Sequence, residues 1–163
     1  MMIRAAKPSE MTYVEREAFI AFVGAAGEVN LGTLPTLVGR AAALVTLHDG
    51  TNLIGTAAIK TPGDAHRRGE FRKAKVEGSA DAYPMELGWV VVHPDRRRRG
   101  HARTLVAKAV EAVTEHGMYA TTKTDAMRAM LPAFGFALQG EPYPSVLSRD
   151  VMLTLFGRPA PDN

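Results

Sequence analysis

Residues 86–106 constrain this chain more than any other run. They hold an apolar stretch from Leu87 to Val92, then Pro94, four successive arginines at 96–99, Gly100, and finally Leu105 and Val106. The apolar stretch suits a buried strand and the proline marks a turn. Leu105, Val106, Ala109, Val110 and Val113 share one helical face, so residues 102–113 form a helix. A strand joined to a helix through a short basic loop is a building block of mixed α/β packing.

That loop has the composition of an anion site. A helix start leaves backbone N–H groups without intrahelical partners and carries a partial positive charge. Gly100 allows a ligand close to the backbone, Ala102 keeps bulk away, and neighbouring N–H groups in a tight turn can cradle phosphate oxygens. Arg97, Arg98, Arg99 and Arg103 add guanidinium forks suited to phosphate. An arginine run alone can equally be a solvated face; its position between an apolar strand and a strong helix favours the site. Neither common nucleotide loop is present, because there is no Gly-x-x-x-x-Gly-Lys-Ser/Thr run and Gly88 and Gly100 are too far apart for a dinucleotide fingerprint.

The remaining bounds are ordinary. A chain of 163 residues, 46% hydrophobic and 23% charged, is expected to form one domain over residues 1–157 with a flexible tail at 158–163. The net charge of +3 is mild and argues against a nucleic-acid binder. Without cysteine there is no disulfide and no thiolate nucleophile. Residues 1–7 run into Pro8-Ser9-Glu10 and do not form a secretory signal, and no run is long enough to span a bilayer. A cytoplasmic protein without a membrane partner is the expectation. The five histidines show no paired ligand spacing, so no metal is expected.

Taken in order, residues 1–7 read as a strand ended by Pro8, with Ser9 as N-cap of a helix whose stripe is Tyr13, Val14, Ala18, Phe19 and Phe22 or Val23. Residues 31–38 fit either a helical turn or an irregular loop around Pro35. Residues 41–47 and 53–60 form a hairpin about Asp49-Gly50, and Gly55 inside its second strand implies a bulge or a close backbone approach. Residues 61–80 lack apolar periodicity and read as a long connection, either a solvated excursion or a lid, with Phe71, Ala74 and Val76 as anchors. Beyond the helix, 118–124 is a strand, Asp125 caps a helix at 126–133, and 135–140 is a return strand. Residues 141–145 are a rigid loop and 149–156 a last strand. The order predicts a partly antiparallel sheet with helices on both faces.

Residues 97–102, Arg-Arg-Arg-Gly-His-Ala, match the Gln/Arg-x-x-Gly-x-Gly/Ala signature of the GCN5-related N-acetyltransferase (GNAT) superfamily. Val92-His93-Pro94-Asp95 stands where that family places its V-x-P turn. Residues 125–136, ending in Gly135-Phe136, are similar to its fourth helix and following strand. The resemblance runs over about residues 3–156 and implies a GNAT-like acyl-CoA N-acyltransferase fold, a mixed, mostly antiparallel sheet flanked by helices. It implies transfer of an acetyl group from acetyl-CoA, as co-substrate, to a primary amine by direct attack in a ternary complex. Backbone N–H groups of Arg97, Arg98, Arg99, Gly100, His101, Ala102 and Arg103 would hold the CoA diphosphate. Val90, Val91 and Val92 would pair with the pantetheine arm, one of their N–H groups polarising the thioester carbonyl. The strand at 119–123 would splay away to leave room for CoA.

Two departures stand out: Ala126 occupies the Asn position of the fourth helix, and the tyrosine that often protonates the leaving thiolate falls at Leu131. Tyr119 and Tyr143 are substitutes for that acid, or else packing residues, in which case water protonates the thiolate. Glu86, at the start of the central strand, is the candidate base, against a structural ion-pair role; Asp81 and His93 are further ones. Trp89 is core or a substrate platform. The acceptor is a small-molecule or peptide amine, and a homodimer would be in keeping with the family. The competing reading is a non-catalytic module of the same fold that binds CoA or nucleic acid through its basic loops.

Overall fold

A computed structural model describes residues 1–162; Asn163, the end of the expected tail, lies outside the described residues. The chain is a mixed α/β fold with a seven-stranded sheet in the order β1-β2-β3-β4-β5-β7-β6. It divides into two compact units: residues 1–61 with 87–113, and residues 62–86 with 114–163. β4 (Met85–Val92) contributes its first two residues to the second unit and the rest to the first.

In the first unit, β1 (Met2–Ala6), β2 (Ala43–Asp49) and β3 (Asn52–Lys60) form an antiparallel meander. The hairpin turns at Gly50-Thr51, and the register shifts from Leu47↔Gly55 to His48↔Leu53, which leaves Ile54 as the extra residue of a bulge beside Gly55. Gly55 also answers to close approach: a Cβ there would stand 2.8 Å from Leu105 Cδ1 and 3.4 Å from the Val91 carbonyl oxygen. Leu105 lies on α4 (His101–Ala112), which buries Leu105, Val106, Ala109 and Val110. The other face of β3 presents Ala58 to a cluster of Phe19, Val23, Leu34, Val38 and Leu44, drawn from α1 (Tyr13–Ala25), α2 (Leu34–Gly39) and β2. Helices therefore cover both faces of this meander. Each large apolar side chain so buried contributes roughly 1.5–3 kcal/mol.

α1 starts later than Ser9 suggests. Its N-cap is Thr12, in a reciprocal box with Glu15: each side chain accepts from the other's backbone N–H at 3.1 Å. Residues 8–10 form only a short 3-10 turn. The packed stripe is Phe19 and Val23, while Tyr13 and Val14 are exposed. Residues 31–38 resolve into α2, with Pro35 in its first turn, where no N–H is needed.

The largest correction lies in the second unit. Residues 61–80 are not an irregular excursion but α3 (Asp64–Lys73) followed by a 3-10 turn at Glu77–Ala82. Arg67, only 8% exposed, occupies the inner face together with Phe71 and Ala74. A charged residue on the buried stripe hides the helical period from any apolar count. Asp64 receives its guanidinium at 2.9 Å, with Asp81 at 3.6 Å. Phe71 and Ala74 join Ala80, Tyr119, Tyr143 and Leu155 in a second core, with Val76, Tyr83 and Leu153 packed against it.

The strands here are β5 (Met118–Thr122), β6 (Ala137–Pro144) and β7 (Met152–Arg158), with β7 antiparallel to both others. β6 runs through residues 141–144, read above as loop. The sheet ends at β6, and an edge strand tolerates Pro142 and Pro144 because its outward side needs no ladder donor. A register shift between Gln139 and Tyr143 absorbs the irregularity. β7 ends two residues beyond the predicted 156, and Arg158 Nε donates to the Phe134 carbonyl at 2.9 Å. α5 (Asp125–Met130) is capped by Thr124, whose hydroxyl accepts from Met127 N–H at 3.2 Å, so Asp125 is the first helical residue rather than the cap. A 3-10 turn, Leu131–Phe134, replaces the predicted last helical turn at Pro132.

Candidate active site

From Gly88 to Val92, β4 is half-exposed at every position, on both of its alternating faces. A strand buried on both faces would be closed throughout; this one keeps backbone and side chains within reach of a ligand. A 3-10 turn at Pro94–Arg96 follows. Arg96 Nη1 meets Asp49 Oδ2 at 2.6 Å, which ties the turn to the end of β2, and the Arg96 guanidinium holds the Asp49 carboxyl below its ordinary range. Arg96 is thereby structural, whereas Arg97, Arg98, Arg99 and Arg103 are exposed.

α4 begins without a side-chain cap and with no acidic residue in its first turn. Its N-cap, Gly100, has φ +80°, and Arg98 has φ +63°, so the backbone takes two left-handed steps within three residues. At Gly100 an added Cβ would meet nothing within 4 Å; the glycine is there for its conformation and not for packing. His101 and Ala102 are partly buried beside it. A helix start that no side chain caps, ringed by arginines, suits the paired phosphates of a diphosphate ester.

Trp89 interrupts β4 with φ +49°, a left-handed conformation that costs a non-glycine residue about 1–2 kcal/mol. Three contacts hold it. Phe19 meets the indole edge-on at 6.1 Å, Lys60 Nζ stands 4.8 Å from the ring centroid, and the Thr56 hydroxyl donates to the Trp89 carbonyl at 2.8 Å. Trp89 is thus a partly buried residue packed against the Phe19 cluster.

The second unit holds two tyrosine–carboxylate pairs. β4 and β5 pair in parallel at Met85↔Met118 and Glu86↔Tyr119, and across the latter pair Tyr119 Oη donates to Glu86 Oε1 at 3.3 Å. Glu86 is 6% exposed and Tyr119 fully buried. Tyr143 Oη donates to Glu70 Oε2, and Lys73 Nζ stands 3.5 Å from Glu70 Oε1. Both phenol pKa values are pushed far above the ordinary 10.0, first by burial, then by the neighbouring carboxylates Glu86 and Glu70. Two of the predicted catalytic residues, Glu86 and Tyr119, are therefore in contact, and Tyr143 is engaged by a residue not foreseen. Asp81 is exposed and takes Arg68 Nη2 at 2.5 Å; His93 is exposed, and its Nδ1 accepts from Asp95 N–H at 3.2 Å.

Residues 11–136 match the family model described as acetyltransferase (GNAT) family. The chain belongs to that family. Solved structures agree on the fold. An acyl-CoA N-acyltransferase from Pseudomonas aeruginosa is 14% identical, with 96% of this chain and 98% of that one covered and a TM-score of 0.67. The Salmonella typhimurium protein yncA, solved with its cofactor acetyl-CoA, is 16% identical over 100% and 95%, with a TM-score of 0.66. The ribosomal-protein-S18-alanine N-acetyltransferase of Escherichia coli is 14% identical over 99% and 97%, at 0.67. No curated protein matches in sequence.

Leu131, which the sequence places at the acid-tyrosine position, is completely buried. Glu70, Thr56 and Lys60 escaped the sequence reading. Glu70 lay in a helix masked by Arg67, and nothing local marks a threonine or lysine in a strand as a partner of a residue 33 or 29 positions away. Among the described residues no three His, Asp or Glu side chains gather as a metal would require, and no helix is long and apolar enough to cross a membrane.

Proposed function

We propose that this GNAT protein transfers an acetyl group from acetyl-CoA to a primary amine, through direct attack of the amine on the thioester. The observation that carries the proposal is the uncapped start of α4 at left-handed Gly100, set directly after a half-exposed β4. Backbone N–H groups from Arg97 to Arg103 grip the diphosphate, and the exposed guanidiniums of Arg97, Arg98, Arg99 and Arg103 supplement them. Val90, Val91 and Val92 offer main-chain groups to the pantetheine arm. One of their N–H groups stabilises the oxyanion formed as the amine adds.

Glu86, at the start of the same strand, takes the proton that the amine loses, directly or through water. Tyr119 spends its own proton on Glu86 and so orients that carboxylate. Buried phenols with raised pKa values release a proton to a thiolate only at a cost, so water protonates the departing CoA sulfur. The balance is one amide formed, one thioester broken, and CoA thiol released with one proton from the ammonium form of the acceptor.

Isothermal calorimetry with acetyl-CoA, with thiol release measured over a panel of small and peptide amines, tests the proposal. Micromolar binding and amine-dependent release are expected. No binding at millimolar acetyl-CoA would sink it, and steeply salt-dependent binding of nucleic acid in its place would favour a non-catalytic module.

A further inference from the structure

We infer that Thr56 is the residue that aims the oxyanion donor. This rests on the acetyl-transfer reading above and adds to it a positioning residue and the identity of the donor, Val90 N–H. Trp89 is held at φ +49° in the middle of a strand, a conformation that persists only when its surroundings fix it. Phe19 and Lys60 contact the indole ring, and β3 lies beside β4 in the sheet. The side chain that reaches the Trp89 backbone is Thr56, fully buried, whose hydroxyl donates to the Trp89 carbonyl oxygen at 2.8 Å.

The consequence follows from peptide geometry. The group joining Trp89 to Val90 is planar and trans, so its C=O and N–H point in opposite directions. Pinning the carbonyl toward Thr56 on β3 turns the Val90 N–H away from β3. A hydrogen bond accepted at the carbonyl also polarises the same amide, which strengthens its N–H as a donor. Thr56 thus acts on the reacting carbonyl through one rigid peptide unit, and Val90, rather than Val91 or Val92, is the donor to the thioester oxygen.

The test compares Thr56→Val, which keeps the shape and removes the hydroxyl, with Thr56→Ser, which restores it. Loss of a whole oxyanion donor costs about 100- to 1000-fold in kcat; a donor present but mis-aimed should cost about 10- to 30-fold. The expected result is that loss in kcat for T56V, acetyl-CoA affinity within about threefold of wild type, and recovery to within about threefold in T56S. Isotope-edited infrared of bound acetyl-CoA supplies a readout that a purely structural role would leave alone: the thioester carbonyl stretch, lowered on the wild type, should move back toward its solution value on T56V. In the unliganded protein, the Trp89 carbonyl carbon and Val90 amide NMR shifts should change in T56V and return in T56S. Unchanged shifts, or unchanged kcat in folded T56V, overturn the role of Thr56 even where wild type binds and turns over acetyl-CoA. A wild type that does not bind acetyl-CoA overturns the acetyl-transfer reading first, and the unliganded shifts then show only whether the hydrogen bond exists.

Discussion

Arg97, Arg98, Arg99 and Arg103 carry their charges in water, while Glu86 and Tyr119 of the second unit are 6% and 0% exposed. The contrast shows how differently two charged regions respond to change. In the exposed loop each guanidinium is screened, and an individual contact is worth little, as for exposed ion pairs generally. In the proposed reading, specificity there comes from backbone shape, the left-handed steps at Arg98 and Gly100 and the uncapped helix start. In the buried pair no solvent compensates a lost partner. The hydrogen bond from Tyr119 therefore bears directly on how the Glu86 carboxylate is oriented.

The largest effect expected from breaking this contrast is at Glu86. Glu86→Gln keeps an acceptor for Tyr119 and removes the proposed base. It should lower kcat about 100-fold or more and abolish the acidic limb of the pH–rate profile, with acetyl-CoA affinity retained by calorimetry. An unchanged pH profile would remove Glu86 from that role. Next is Gly100→Leu, which forces a side chain onto φ +80° in the open space where the diphosphate is proposed to sit. About 10- to 100-fold weaker acetyl-CoA binding is expected, against only about 1–2 kcal/mol of stability in urea melts. Equal affinity in the folded variant would move the diphosphate elsewhere.

The two phenols sharpen the comparison through pH. Their folded pKa values lie above the unfolded value near 10.0, so the stability they confer is complete below pH 10 and is lost as pH rises further. Each should steepen the alkaline decline by about 1.4 kcal/mol per pH unit, and the Tyr119→Phe, Tyr143→Phe double variant should flatten it. The smallest effect belongs to the exposed side. Arg98→Ala or Arg99→Ala should weaken acetyl-CoA binding only about two- to fivefold, and less as salt is raised. A loss as large as that of Gly100→Leu would reverse the assignment of backbone first and charge second.

What could be read without coordinates was local. The β4–loop–α4 run declares itself because an apolar strand, a proline turn, a glycine and a 3.6-residue period are all properties of neighbouring residues. The hairpin around Gly50 and the close approach at Gly55 were legible for the same reason. α3 was not, because Arg67 sits where its inner face should have shown an apolar side chain, and only Asp64 and Asp81 together explain how that arginine is buried. β6 was hidden by Pro142 and Pro144, tolerable because that strand lies at the sheet edge.

The sequence alone determined the α/β class and the likeness to the GNAT family, each written in short-range spacing. Tertiary structure alone decided that Tyr119 answers Glu86, that Tyr143 answers Glu70, and that Thr56 holds the carbonyl of Trp89. Those partners are separated by 33, 73 and 33 positions, and no local rule couples them. They meet because strand register and helix packing bring them together, and burial then makes each hydrogen bond count.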